Sequence, residues 1–226
     1  MTRYIVLDTE TTDATPERGV AEVGWQEINE HFEVIDSVSS LIDPECPICP
    51  SASAVHGIVQ ADVQDSPTLE EFFTDNAPGC YGQSITGPTI VIGHRIEFDL
   101  HTVQKYIPDM VGYICTLRLS RYLFPQAPAH NLGTLTYLFD LPREGDTHRV
   151  LADVDRTRHL LKYICDTNKL SLSDVYALCQ NPLKVHTMPF GKHKGEAIED
   201  IPKSYRKWLL GTDIDPDLRW TVEQTM

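Results

Sequence analysis

The sequence predicts an α/β protein in which one mixed β-sheet is flanked by helices and followed by a small C-terminal module. Two short apolar runs, at residues 5–7 and 89–93, are typical of strands that are buried on both faces. Longer β-rich runs follow the first of them, and the spacing of apolar residues after the second is mostly helical. Strands that come first and then alternate with helices predict a single mixed sheet with helices packed against it.

The individual elements follow from the same patterns in chain order. Two β-rich runs are joined by an expected hairpin turn at Asn29-Glu30, and three prolines within residues 44–50 predict a rigid extended loop. Strands are expected at residues 5–7, 21–28, 32–42, 89–93 and 112–115, and helices at residues 68–74, 98–106, 117–123, 131–139, 152–167 and 205–210.

A change of composition at Asn181-Pro182 predicts a boundary between two units. Residues 1–181 form the expected main domain and residues 182–226 the C-terminal module. The module is locally basic, with Lys184, Lys192, Lys194, Lys203, Arg206 and Lys207. These cations either contact nucleic acid or a partner, or form a solvated face.

Composition limits the class of protein. A chain of 226 residues with 41% hydrophobic positions can build a core, which excludes wholesale disorder. The net charge of −14 argues against a surface that coats nucleic acid throughout, but an acidic cluster that holds divalent cations can still dock phosphates. No apolar run reaches about 18 residues, and Asp8 comes too early for a signal peptide, so we expect a cytoplasmic protein without a membrane span.

The cysteines do not form the pattern of a disulfide framework. They are sparse for the length and lie at Cys46, Cys49, Cys80, Cys115, Cys165 and Cys179. Cys46 and Cys49 have the spacing of zinc ligands, but no second pair of cysteines follows, so packing residues are the favoured interpretation and a zinc site is the alternative.

Acidic residues recur where predicted strands end or helices begin. Asp8 and Glu10 stand two apart at the end of the first strand, so both carboxylates are expected on one face. Asp99 follows the strand at residues 89–93, and Asp153 lies in the first turn of a long helix, just after His148. Each acid alone could end a strand or cap a helix.

Taken together, these residues predict a site that holds divalent cations next to a candidate general base. The carboxyl ends of parallel neighbouring strands gather at one edge of a sheet, where ligands bind. Carboxylates that share a site repel one another unless a cation or a proton intervenes, and hard divalent ions prefer oxygen ligands. A histidine beside such a cluster is a suitable general base.

The same residues resemble the DEDDh signature of the DnaQ-like 3′–5′ exonucleases. Asp8-Thr9-Glu10, Phe98-Asp99, and His148 with Asp153 carry the likeness, which spans roughly residues 3–165. Further matches are the segments at residues 54–58 and 115–119. Residues 190–195 (Phe-Gly-Lys-His-Lys-Gly) resemble a small C-terminal module found in one group of this family.

The resemblance implies a ribonuclease H-like fold and a 3′–5′ exonuclease that releases nucleoside 5′-monophosphates from DNA 3′ ends, in DNA repair or end trimming. It implies two Mg²⁺ or Mn²⁺ ions held by Asp8, Glu10, Asp99 and Asp153, with His148 as the base that takes the proton of the attacking water. It also implies substrate contacts at Thr9, Thr11, Thr12, His56 and Ile58.

Some features of the function stay open at this point. The expected partner is a single-stranded or duplex DNA 3′ end, but the shared site does not by itself select the sugar, so an RNA exonuclease is an alternative. A second alternative is an inactive nucleic-acid-binding module, and the oligomeric state is open. The family usually has Asn where Arg95 stands and often has Gly where Asp13 stands. Arg95 could alter how the DNA end or the Asp99 loop is held.

Overall fold

Five strands of the described residues form one mixed sheet, which confirms the predicted fold class. The computed structural model describes residues 2–15, 17–76, 87–143, 145 and 148–226, and Cys80 lies outside these ranges. The strands are β1 (Arg3–Thr11), β2 (Val20–Ile28), β3 (Val34–Leu41), β4 (Thr89–Gly93) and β5 (Met110–Cys115). Their spatial order is β3-β2-β1-β4-β5, and β1, β4 and β5 run parallel whereas β1, β2 and β3 alternate in direction.

The helices surround this sheet and then continue into the C-terminal region. Within the described ranges they are α1 (Pro50–His56), α2 (Gln60–Val63), α3 (Leu69–Asn76), α4 (Glu97–Val103), α5 (Thr116–Leu123), α6 (Leu132–Leu138), α7 (Val150–Asn168), α8 (Leu172–Cys179), α9 (Lys203–Leu210) and α10 (Pro216–Gln224). None of these helices combines the length and the apolar character that crossing a bilayer requires.

Both faces of the sheet are covered, so consecutive residues of β1 and β4 are buried on opposite faces and the sequences of these strands are apolar. Val6 and Ile92 pack into a core that includes residues of α5, α6, α7 and α8. Ile5 and Leu7 point to the other face, into a core with Phe72 of α3 and residues of α4. The alternation of side chains along β1 therefore fixes the register of the central strand, because a slip by one residue would exchange the two cores.

The structure corrects the predicted elements at a few places. The hairpin turn is longer than Asn29-Glu30, because the Asn29 side chain accepts hydrogen bonds from the backbone of His31 and Glu33 and Phe32 adopts a left-handed conformation (φ 63°). Consequently β3 begins at Val34. The prediction also misses α1, α2, α8 and α10, since helices this short depend more on tertiary packing than on local periodicity.

The C-terminal segment has a core of its own and one strong attachment to the rest of the chain. Its buried apolar residues are Val185, Met188, Ile198, Ile201, Leu209, Leu218 and Val222. Arg118 of α5 donates to both carboxylate oxygens of Asp217 in α10 at 2.7 and 2.9 Å, and to the carbonyls of Cys179 and Asn181. This bidentate contact fixes the C-terminal segment against the end of α8 and against α5.

Candidate active site

The structure brings the five predicted catalytic residues together in one cavity of about 220 Å³. Because β1 and β4 are parallel neighbours, their carboxyl ends lie at the same edge of the sheet. The cavity opens at this edge and is lined by Asp8, Thr9, Glu10, His94, Arg95, Phe98, Asp99, Leu132, His148 and Asp153. Residues from four separate parts of the chain thus form a single acidic site.

Hydrogen bonds from β1 hold Asp99 in place. The carboxylate oxygen Oδ1 of Asp99 accepts from the backbone N–H of Thr9 at 3.0 Å and from the Thr9 hydroxyl at 2.6 Å. Asp99 is 4% exposed and lies in the first turn of α4. The two bonds orient the remaining oxygen of the carboxylate independently of any ligand.

The start of α7 supplies the other side of the site. The backbone N–H of His148 donates to Oδ2 of Asp153 at 3.1 Å, and the His148 imidazole Nδ1 lies 4.0 Å from the same oxygen. Arg156 donates to the other oxygen of Asp153 at 2.7 Å. Ligand atoms of Glu10, His148 and Asp153 all lie within 4.8 Å of one another, so this part of the site is compact enough to hold a cation.

Burial disfavours the charged forms of the carboxylates in the cavity, and for Asp8 and Glu10 repulsion by neighbouring carboxylates adds to it. Burial raises the pKa of Asp8 well above its usual range, and the charges of Asp99 and Glu10 raise it further. Burial, followed by the charges of Asp153 and Glu22, raises the pKa of Glu10 to about 8. Burial also raises the pKa of Asp99 to about 7. Divalent cations fit this donor set, because the ligands are hard oxygen atoms and the cluster carries excess negative charge.

Sequence reasoning misses one acidic residue that contributes to the site. Glu22 of β2 lies opposite Glu10 in the antiparallel register and is 5% exposed. Its carboxylate accepts hydrogen bonds from Arg149, at 3.1 and 3.2 Å from Nε and at 2.8 Å from a terminal nitrogen. Arg149 is the residue next to His148 in the sequence. The signal was a charged residue inside a β-rich run, where a buried carboxylate is rare unless it is paired.

Of the predicted substrate contacts, Thr9 alone lines the cavity. Thr11 donates to the carbonyl of Asp13, and the Thr12 hydroxyl accepts from the backbone of Gly19. Both of these threonines are buried, and they lie next to the site without facing it.

The segment that carries His56 and Ile58 is also turned away from the cavity. His56 Nε2 lies 3.2 Å from the Thr11 carbonyl, and its Nδ1 accepts from the backbone of Ile58, so both ring nitrogens have partners within the protein. Burial lowers the pKa of His56. Ile58 packs in a small core with Ala21 and Val63. Substrate contact by His56, Ile58, Thr11 and Thr12 stays a prediction.

Arg95 stands at the rim of the cavity, immediately before α4. It adopts a left-handed backbone conformation (φ 72°), and its guanidinium lies 5.7 Å from the centre of the Phe98 ring. Arg18 covers the same ring at 3.6 Å and donates to the Phe98 carbonyl at 2.6 Å. The mouth of an otherwise acidic site therefore carries cations beside an aromatic ring.

The alternative zinc site at Cys46 and Cys49 finds no further ligands among the residues that the structure describes. Both cysteines are half-buried, and Cys46 Sγ lies 3.9 Å from the Thr12 hydroxyl. Among the described residues, three metal-ligating side chains come together at Glu10, His148 and Asp153, and this group does not include the two cysteines.

Comparison with known proteins identifies relatives for both parts of the chain. A family model described as exonuclease (RNase T) matches residues 5–161, and a family described as a quorum-sensing-regulated virulence factor matches residues 180–214. Exodeoxyribonuclease 10 of Escherichia coli K12 is 29% identical over 227 residues, covering 96% of each chain. DNA polymerase III subunit epsilon of Aquifex aeolicus is 26% identical over 184 residues, covering 77% of this chain and 87% of that protein.

Solved structures share the fold. Exonuclease X in complex with 5′ overhanging duplex DNA superposes with a TM-score of 0.60 at 28% identity, over 79% of this chain and 99% of that one. The zinc-bound E. coli exonuclease I complex with single-stranded DNA superposes with a TM-score of 0.61 at 17% identity, over 79% of this chain and 42% of that one. These likenesses confirm the ribonuclease H-like fold predicted from the sequence.

Proposed function

We propose that this chain, which belongs to the RNase T family of exonucleases, hydrolyses DNA from the 3′ end and releases nucleoside 5′-monophosphates. The observation that carries the proposal is the single cavity that contains all five residues of the catalytic signature. DNA as the substrate is supported by the nearly full-length match to an exodeoxyribonuclease and by the likeness to a structure with duplex DNA. Such an activity suits DNA repair or the trimming of DNA ends.

Exonucleases of this family are metal-dependent, and the residues present fit that requirement. We assign two Mg²⁺ or Mn²⁺ ions to Asp8, Glu10, Asp99 and Asp153. When bound, the ions supply the positive charge that a phosphodiester needs in order to approach this cluster and to be polarised for attack. The protein contributes a fixed set of oxygen ligands, of which Asp99 is held by Thr9 and Asp153 by Arg156.

His148 acts in this proposal as the general base. Its side chain is 51% exposed at the mouth of the cavity, so an imidazole nitrogen can reach water next to the bound 3′ end. The backbone bond from His148 to Asp153 and the ion pair of Arg149 with Glu22 hold the segment that carries the imidazole. Phe98 and Leu132 provide apolar walls against which the terminal nucleotide can pack.

We also propose that the chain consists of two units, with the boundary at the change of composition near residue 182. Residues 1–181 carry the catalytic site, and residues 182–226 form a small module. The separate core of residues 185–222 supports this division, as does the distinct family match of residues 180–214.

The test is a cleavage assay on 5′-labelled DNA and RNA oligomers of matched sequence, with and without Mg²⁺. We expect a metal-dependent ladder that shortens DNA from the 3′ end, and we expect Asp8→Ala and Asp99→Asn to abolish it. Asp65→Ala removes an exposed acid outside the cavity and should cleave normally. A ladder on RNA alone would reassign the substrate, and no ladder on either oligomer would favour a binding module.

A further inference from the structure

We propose that the C-terminal module forms one wall of a groove that binds the DNA strand leading into the catalytic cavity. The inference rests on the proposed function, since it concerns the path of the same substrate. A second cavity, of about 640 Å³, lies between the catalytic part and the module. His94 and Arg95 line both this groove and the catalytic cavity, so the two spaces adjoin.

Specific contacts set the position of the module and hence of the groove. Arg118 binds Asp217 through two hydrogen bonds, and the Asp217 side chain is 6% exposed. Arg121 lies 3.4 Å from Asp215, and the ring of Tyr122 stacks on that of His186 at 6.2 Å. Three residues of α5 therefore attach the module, and the gap beside them is a feature of the fold.

The groove has the charge expected of a surface that binds a phosphate backbone. Its lining includes the basic residues Arg95, Arg118, Arg121 and Lys194 and the acidic residues Glu97 and Asp215. Arg118 and Arg121 are paired with Asp217 and Asp215, so Arg95 and Lys194 carry the free positive charge. The chain as a whole has 19 Lys and Arg against 33 Asp and Glu, so this local excess of positive charge is opposite in sign to the rest of the protein. Within the described part of the chain, Arg95 and Lys194 have no ion-pair partner, which leaves them available to phosphates.

The module also presents an aromatic ring to the groove. Phe190 is 42% exposed and lies on a tight loop that is closed by backbone hydrogen bonds between Met188 and Glu196 and between Gly195 and Met188, both 2.8 Å. Gly191 and Gly195 both have left-handed backbones (φ 70° and 86°), a conformation that favours glycine. A rigid loop that carries an exposed ring and a lysine suits stacking on a base together with contact to a phosphate.

A strand that leaves the catalytic cavity past Arg95 would enter this groove. Phe190 would then stack on a base upstream of the scissile nucleotide, and Lys194 would contact a neighbouring phosphate. The catalytic residues lie in the other cavity, so the groove should affect long substrates and spare the shortest ones.

The experiment compares the double variant Phe190→Ala/Lys194→Ala with the full-length parent protein on oligothymidylates of increasing length. We expect kcat/KM on a 20-mer to fall about 10- to 100-fold, because one base stack and one phosphate contact are lost. We expect kcat/KM on a dinucleotide to stay unchanged. The dependence of log affinity on log salt should become shallower by about 0.7 for the single lost phosphate contact.

The matched control is Trp208→Ala/Lys203→Ala, which removes an exposed aromatic ring and a lysine from the same module outside the groove lining. It should behave like the parent protein. Parent activity on the 20-mer establishes that the proposed function holds. With that activity present, an unchanged kcat/KM of the groove variant, or an equal loss in the control, would overturn the groove proposal.

Discussion

Replacing Glu10 by Gln is expected to stabilise the metal-free protein at neutral pH while destroying its activity. Burial and the charges of Asp153 and Glu22 raise the pKa of Glu10 to about 8, from an ordinary value of 4.5. The folded chain therefore binds this proton more tightly than the unfolded chain does. Stability falls as the pH rises through the interval between the two values, because the folded protein must either keep the proton or accept a buried charge.

The size of the effect follows from that interval. At pH 7 a single carboxyl with these two pKa values would lower the free energy of unfolding by about 3 kcal/mol relative to pH 4.5, at about 1.4 kcal/mol per pH unit. The neighbouring carboxylates share the proton, and the site is open to solvent, so we expect about 1–2 kcal/mol from Glu10→Gln. For a chain of this length that corresponds to a rise in Tm of about 2–8 °C.

The assay is thermal unfolding with EDTA at pH 7.5 and at pH 4.5. The Tm advantage of Glu10→Gln should be present at pH 7.5 and nearly absent at pH 4.5, where the parent carboxyl is protonated in the folded state and half protonated in the unfolded state. Adding Mg²⁺ should raise the Tm of the parent protein more than that of the variant. The bound cation neutralises the repelling carboxylates of the folded parent, and the variant lacks one of them. Glu17→Gln, which changes an exposed acid outside the catalytic cavity, is the control and should shift neither value.

A parent protein that is as stable as Glu10→Gln at pH 7.5 without metal would refute this reasoning. That result would mean that the carboxylates of the cavity do not repel one another in solution as their burial and proximity require.

Three further outcomes are expected. His148→Ala should lower kcat by about 10²–10⁴-fold yet keep the Mg²⁺-induced rise in Tm, and loss of that rise would instead make His148 a metal ligand. Glu22→Gln should weaken the pairing with Arg149 and lower kcat about tenfold with little change in KM, and an unchanged kcat in steady-state kinetics would speak against a positioning role. Arg118→Ala should lower the free energy of unfolding in urea by about 3–5 kcal/mol, because Asp217 is left buried without its partner, and a loss below about 1 kcal/mol would contradict this account.

That the five candidate residues lie together could be predicted from the sequence because each of them is marked by its local position. Asp8 and Glu10 end an apolar strand, Asp99 follows another, and His148 and Asp153 open the longest helix. Strands buried on both faces leave an apolar run, and long helices leave a period of 3.6 residues, so both can be detected within a short window of sequence. The mixed sheet was predictable for the same reason, and the locally basic tail was predictable from its content of Lys and Arg.

Only the tertiary structure shows which side chains lie inside and which pairs support the site. His56 and Ile58 belong to a motif, yet the fold buries both away from the cavity. Glu22 and Arg149 are 127 positions apart in sequence. Contacts over such separations are set by how strands pair and helices pack, and they leave no periodic mark in the sequence.

For the groove beside the module, too, the sequence determines some features and the tertiary structure determines others. The sequence alone determined that residues 184–207 are locally basic and that the C-terminal segment is separate in composition. That Phe190 and Lys194 face Arg95 across a gap depends on the attachment of Arg118 to Asp217, which lie 99 positions apart. Charge and periodicity are properties of the sequence, whereas the placement of one packed unit against another depends on the shape and polarity of both surfaces, which exist only once each has folded.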